Sequence, residues 1–346
     1  MNKAIIFLSF TTSQNQSIQN CINYFKKDKS NNINYYIISN TNNIPKEIKD
    51  SHKLILTKIS NWHKALHQIL FKPNKKKLNI FVKRLPFYDE IEILMPHFLN
   101  ILCNHFFNNY IEKLNSKSII ISLYPDGMLS YQPYKIVSKY QKESIFRWFG
   151  GLGSGMTYKL FKGPIADPFS CIKKIYSYIP EITIPYKSKQ IIKIEFSKKK
   201  LSGNNILILG HYKQNKFNHL YLNKLNESLN KFFKENTYKK IFYKPHPRMI
   251  SNIDKDIFYQ FLLKIPDIDI SLYQYEQPIE SIVNTIGTST IIASVSTSMI
   301  NLKLRFGEQI SCYYFGISNY VLEPYVKYYE SVFSKLSIKP LKVFNE

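Results

Sequence analysis

The chain alternates short apolar runs with longer segments in which apolar residues recur every three or four positions. Residues 4–10 form an apolar run; the polar Thr11-Thr12-Ser13 then precedes Ile18, Cys21, Ile22 and Phe25 at helical spacing. That order predicts a strand, a polar loop and a helix. Asn34–Ser39 and Lys77–Val82 read as further strands, followed by a long helical pattern from about Tyr88 to Phe107. Ser118–Leu123 is the most strand-like segment of this half, and it runs straight into Tyr124-Pro125-Asp126-Gly127. The stretch from Gln132 to Pro185 is less regular.

A second series begins at Ile206–Leu209, which ends at Gly210. Helical spacing follows around Leu220–Phe233, then strands at Lys240–Tyr243, Ile268–Leu272 and Thr290–Val295, with a short helix at Pro278–Val283. Strands alternating with helices predict mostly parallel sheets covered on both faces. Between the two series, Lys187–Asn205 carries lysines and turn residues with little apolar content and reads as a linker. A chain of 346 residues also exceeds what one core fills. The reading is therefore α/β with two Rossmann-like domains, 1–190 and 200–346, the last helices packing back on the first domain. Ligands of such folds sit in a cleft at the carboxyl ends of the strands.

Composition narrows the class. Hydrophobic residues make up 44% and aromatic residues 15%, enough to bury large cores and to exclude wholesale disorder. Cys21, Cys103, Cys171 and Cys312 lie far apart with no C-x-x-C pair, which supports neither a zinc site nor a disulfide framework and suits a reducing compartment. No run of 18 apolar residues occurs, so no spanning helix is expected; the apolar start reads as a buried strand, and the expected location is cytoplasmic. The net charge is 48 − 24 = +24, which attracts nucleic acid, anionic membrane or an acidic substrate. Only Arg84, Arg147, Arg248 and Arg305 are arginine, and the lysines accompany abundant Asn, Ile and Tyr, so part of the excess is compositional. Scarce arginine argues against a dedicated nucleic-acid reader and leaves peripheral association with an anionic inner membrane as the expected use of the charge.

Four features stand where a strand ends or a helix opens. Asp126-Gly127 follows Ile119-Ile120-Ile121; it reads as a turn or as a carboxylate projecting from the strand end to act as general base. Lys244-Pro245-His246-Pro247-Arg248 follows Ile241-Phe242-Tyr243, where two prolines hold His246 extended between cations suited to a phosphate. Ser294-Val295-Ser296-Thr297-Ser298 precedes a helical run and reads as an ordinary N-cap or as an anion site. Glu280 opens a short helix, where it favours the helix dipole or accepts from ribose hydroxyls. Gly210 and His211, after the first strand of the second series, are candidate cleft-lining residues. Weaker candidates are Gly150–Gly155 as a binding loop, His63 and His67 at i, i+4, and Asp167 in a turn.

Taken together, these motifs resemble the bacterial sialyltransferases of glycosyltransferase families 38, 52 and 80. Their acidic-Gly, His-Pro and paired Ser/Thr signatures correspond to Pro125-Asp126-Gly127, His246-Pro247 and Thr297-Ser298. Pro125 stands where the family pattern has its first acidic residue, and Asp126 keeps the acid directly before glycine. The resemblance implies a GT-B fold with a nucleotide-sugar cleft between the domains. It also implies an inverting, metal-independent transfer of sialic acid from its cytidine monophosphate (CMP) conjugate to a hydroxyl of a surface glycan, a lipooligosaccharide or capsule. Asp126 would be the base. His246, with Lys244 and Pro247, would assist the leaving phosphate, Glu280 would hold the ribose, and Thr297 and Ser298, with Ser296, the phosphate. Another GT-B transferase, using a Kdo or uridine diphosphate sugar, and a basic nucleic-acid-binding protein are the alternatives.

Overall fold

In the computed structural model, residues 1–11, 14–28, 32–42, 44–57, 72–98, 100–126, 148–149, 157–158, 171–183, 190–211, 218–246, 249–274, 279–316 and 323–341 are described. The chain divides into two compact units, Met1–Glu195 and Phe196–Glu346. The first holds a parallel sheet of β1 (Asn2–Ser9), β2 (Asn32–Ser39), β3 (Lys53–Ile55), β4 (Tyr88–Met95), β5 (Ser116–Leu123), β6 (Ile172–Ser177) and β7 (Gln190–Lys193), in the spatial order β3-β2-β1-β4-β5-β6-β7. Its helices include α1 (Gln14–Phe25), α2 (Lys72–Arg84) and α3 (Ile101–Tyr110). From Lys3 to Ser9 every residue of β1 is buried, as a central parallel strand covered on both faces must be.

Two sequence expectations fail here. Lys77–Val82 is not a strand but part of α2: Leu78 and Val82, four apart, are buried while Lys76, Lys77 and Ile80 face outward. Tyr88–Phe107 is not one helix but β4 followed by α3, whose start is capped by Asn100 accepting from Leu102 N at 2.8 Å. The helical reading arose from Glu90 and Glu92, residues that central strands seldom carry. Glu92 is fully buried, and its charge is met by Lys3 Nζ at 2.9 Å, Ser122 Oγ at 2.6 Å, Tyr176 Oη at 2.8 Å and Lys174 Nζ at 3.4 Å. Within Lys187–Asn205, the stretch expected as a linker, the boundary between the units falls at Glu195/Phe196, and ahead of it lies β7, an edge strand paired with β6 alone.

The second unit repeats the plan. Its strands are β8 (Asn205–Leu209), β9 (Ile241–Lys244), β10 (Ile270–Leu272), β11 (Thr288–Ala293), β12 (Ser311–Tyr314) and β13 (Lys339–Pro340), all parallel, in the order β10-β9-β8-β11-β12-β13. Helices α4 (His219–Glu235), α5 (Ile257–Leu262), α6 (Ile279–Ile282), α7 (Thr297–Phe306) and α8 (Glu323–Lys335) accompany them. On α4 the buried Leu222, Leu225, Leu229 and Phe233 form one stripe against the sheet, and Asn218 caps its start by accepting from Tyr221 N at 2.7 Å. Among the described residues no helix is long and apolar enough to cross a membrane.

In each sheet the chain starts in the middle and then winds both ways: β1 lies between β2 and β4, and β8 between β9 and β11. At such a switch point the loops leaving neighbouring strands diverge and open a crevice at their carboxyl ends. The segments following β1, β4 and β5 in one unit, and β8, β9 and β11 in the other, are therefore where each unit concentrates its chemistry.

Candidate active-site residues

In the first unit β5 delivers Tyr124, Pro125 and Asp126. Tyr124 anchors the strand end, fully buried, its hydroxyl donating to the Leu8 carbonyl of β1 at 2.8 Å. Asp126 follows with its side chain 14% exposed. Gln14, the buried first residue of α1, reaches it across the switch point and donates Nε2 to Asp126 Oδ1 at 3.2 Å. The orientation of that amide is set by its other end, because Gln14 Oε1 accepts from Phe10 N at 2.9 Å and Thr11 N at 3.3 Å, so the donor side must face Asp126. On the other oxygen, His97 Nε2 lies 3.4 Å from Asp126 Oδ2. The imidazole is 9% exposed and sits edge-on against Phe10 at 5.1 Å. Burial pushes the Cys103 thiol and the Tyr124 phenol well above their ordinary ranges, and in both the Asp126 charge adds to the effect.

Gln14 and His97 are absent from the sequence reading. His97 follows Met95-Pro96 at the end of β4, much as His246 follows Lys244-Pro245, but reading 88–107 as a helix concealed that strand end. Gln14 carries no local signal, since its role depends on β1 and β5 being two strands apart.

In the second unit β8 and β9 end side by side. Gly210 N donates to the Lys244 carbonyl at 2.8 Å, and any Cβ at Gly210 would run into the Tyr243 hydroxyl, so glycine is required. Tyr243, fully buried, donates to Asp256 Oδ2 at 2.6 Å, and Asp256 in turn caps α5 by accepting from Tyr259 N at 3.0 Å. Lys244 is buried at the strand end; His246 is half-buried beyond it, its carbonyl accepting from Met249 N at 2.7 Å. His211 stands beside it, the ring centroids 6.4 Å apart.

The hydroxyl cluster lies after β11. Ser296 Oγ accepts from Ser298 N at 3.2 Å and caps α7, so this hydroxyl does the ordinary work of an N-cap, while Thr297 is exposed and Ser298 half-buried. Glu280 on α6 is tied to α7: its Oε1 accepts from Asn301 Nδ2 at 3.0 Å and its carbonyl from Arg305 Nη1 at 2.7 Å. Thus α6 holds Glu280 against the middle of α7, beyond its Ser296 cap. Gly127, Pro247, the glycines at 150–155, His63, His67 and Asp167 lie outside the described residues. Among the described residues no group of three or more His, Cys, Asp or Glu is arranged to hold a metal ion.

Solved structures share this architecture at low identity. The UDP-GlcNAc 2-epimerase of Methanocaldococcus jannaschii superposes with a TM-score of 0.53 at 10% identity, over 99% of this chain and 93% of its own. The Neisseria meningitidis UDP-GlcNAc 2-epimerase gives 0.50 at 10% identity, over 96% and 90%. The GT-B domain of a Photobacterium damselae sialyltransferase gives 0.48 at 14% identity, over 99% and 98%. The architecture shared with the Methanocaldococcus jannaschii protein, two parallel α/β sheets with interleaved helices, is of the GT-B type. No match was found among the curated proteins. A family model does match, that of the alpha-2,8-polysialyltransferases, over residues 5–314. That span takes in Gln14, His97 and Asp126 in one unit and His211, His246, Glu280 and Ser296–Ser298 in the other, and the chain is a glycosyltransferase that belongs to the alpha-2,8-polysialyltransferase family.

Proposed function

We infer that the enzyme transfers sialic acid from CMP-sialic acid to a hydroxyl of a bacterial surface glycan, with inversion and without a metal. The observation that carries this reading is the setting of Asp126, a carboxylate at a strand end with one oxygen held by Gln14 and the other beside His97. Asp126 stands at the carboxyl end of β5, beside the switch point and with its side chain partly exposed, where an acceptor hydroxyl can approach it. In the proposed step Asp126 takes the hydroxyl proton as the acceptor oxygen attacks the anomeric carbon from the face opposite the nucleotide. His97 steadies the carboxylate and shares the charge change. The breaking bond delivers its electron pair to the phosphate oxygen, where His246 donates a hydrogen bond or a proton and Lys244 offsets charge. Glu280 holds the ribose, and the α7 N-terminus with Thr297 and Ser298 holds the phosphate. The leaving group is already good, so positioning and charge stabilisation supply most of the acceleration. The surplus of 24 positive charges suits an anionic inner leaflet, where the enzyme would act as a peripheral protein on the cytoplasmic side.

The test is release of CMP from CMP-sialic acid with lactose-terminated and sialylated acceptors, for the wild type, Asp126→Ala and His246→Ala. Acceptor-dependent release lost in both variants is the expected result. A wild type that neither binds CMP nor releases it, but turns over another nucleotide sugar, would overturn the donor assignment.

A further inference from the structure

Adjacent strands β8 and β9 each continue into a histidine two residues past their last residue, Leu209-Gly210-His211 and Lys244-Pro245-His246. Their rings are tilted 52° to one another with centroids 6.4 Å apart, farther than a direct ring-to-ring hydrogen bond reaches. The spacing is fixed by backbone. Gly210 N is bonded to the Lys244 carbonyl at 2.8 Å, a Cβ placed on Gly210 would lie 3.2 Å from His246 N, and Tyr243 is wedged between by Asp256 and by Tyr273 N donating to its carbonyl at 2.8 Å. Lys244 and Tyr243 precede His246 on the same strand end, and the Asp256 carboxylate is turned to the Tyr243 hydroxyl and the α5 amide.

We propose that His211 and His246 together form a two-imidazole seat for a single phosphate, making His211 a second phosphate-binding residue of the transfer. The inference rests on the sialyltransferase reading and deepens it. Imidazoles and nucleotide monophosphates exchange protons in the same range, and two cationic rings side by side repel, so the second proton enters the seat only when a phosphate brings negative charge to it. The donor phosphodiester carries one negative charge and the departing CMP nearly two. As the sugar–oxygen bond breaks, its electron pair passes to the phosphate oxygen, the acceptor oxygen bonds the anomeric carbon, and the acceptor proton goes to Asp126. One imidazolium then donates to the leaving oxygen while the second ring, drawing a proton from solvent, pairs with a non-bridging oxygen. The seat therefore favours the charge that develops during the reaction over the charge of the bound donor.

Titration calorimetry of CMP, and of cytidine as the phosphate-free control, tests this with the full chain at pH 6.5 and 8 in two buffers of different ionisation enthalpy. The expected results are proton uptake when the wild type binds CMP, CMP binding weakened roughly tenfold or more at pH 6.5 in His211→Gln and His211→Asn with less proton uptake, and cytidine binding unchanged. CMP affinity and proton uptake within twofold of wild type in both variants would overturn the seat while leaving the sialyltransferase reading intact. A wild type that binds no CMP overturns both. Should neither variant fold, as judged by thermal unfolding, the wild-type proton count decides: no uptake at pH 6.5 or 8 overturns the seat.

Discussion

Two carboxylates on neighbouring strands of the first sheet, Glu92 and Asp126, show how one fold separates structural charge from reactive charge. Glu92 lies within β4, fully buried, and receives two ammonium groups, one serine hydroxyl and one tyrosine hydroxyl. Burial alone would raise its pKa; the Lys3 charge, with hydrogen bonds from Ser122 and Lys3 and the Lys174 charge, outweighs it and holds the carboxyl below the ordinary glutamate range. Asp126 lies beyond the end of β5, partly open, with the Gln14 amide and the His97 imidazole among its neighbours. A saturated carboxylate in mid-strand has no lone pair left for a substrate and serves the fold. A carboxylate at a strand end, partly open to the crevice, stands where a substrate hydroxyl can reach it.

The largest effect that would break or sharpen this contrast is catalytic. Asp126→Asn is expected to lower kcat by about a thousandfold, within the usual range for a general base, with the melting temperature nearly unchanged; equal loss of both would place Asp126 with Glu92. Glu92→Ala should do the reverse, costing about 3 kcal/mol or more of unfolding free energy in denaturant titration because the buried Ser122 and Tyr176 hydroxyls lose their acceptor and Lys3 keeps only Glu90, while turnover per folded molecule survives. Gln14→Ala and His97→Gln are expected to reduce kcat roughly ten- to hundredfold with smaller changes in KM.

The smallest effect is in stability against pH. The folded pKa of Glu92 is depressed, so its contribution is present above the unfolded value of about 4.3 and is lost as pH falls through the folded value. Lys3 is the opposite case. Burial works to lower its pKa, but the Glu92 charge and its bonds to Glu90 and Glu92 win and raise it, so its contribution holds below the unfolded value of about 10.4 and is lost as pH rises through the folded one. Stability should plateau between these limits, and Glu92→Gln should flatten the acid limb; an unaltered limb would remove Glu92 as its source.

The strand ends carrying Asp126 and His246 were legible in the chain because an apolar run followed by Asp-Gly, or by Pro-His-Pro, is a local pattern. So were β1, β2, β5, β8, β9 and α4, where hydrophobic period and neighbouring turn residues agree. The second unit read more accurately than the first for the same reason, since its strands carry no buried carboxylate. His97 was missed because β4 contains Glu90 and Glu92, whose charges are neutralised by Lys3 on a strand 80 or more residues away in sequence. The edge strand β7 was missed because one paired neighbour and a half-buried face ask little apolar content of it.

By itself, then, the sequence determined two parallel α/β units, the order of their strong strands, and the residue types waiting at the strand ends, all of which depend on contacts within a few residues. Only the tertiary structure decided which of those residues meet. Winding outward from the middle of each sheet brings the loop after β1 to the loops after β4 and β5, and the loop after β8 to that after β9. Gln14 and His97 thereby reach Asp126, and His211 reaches His246, through chain crossings that no local period records.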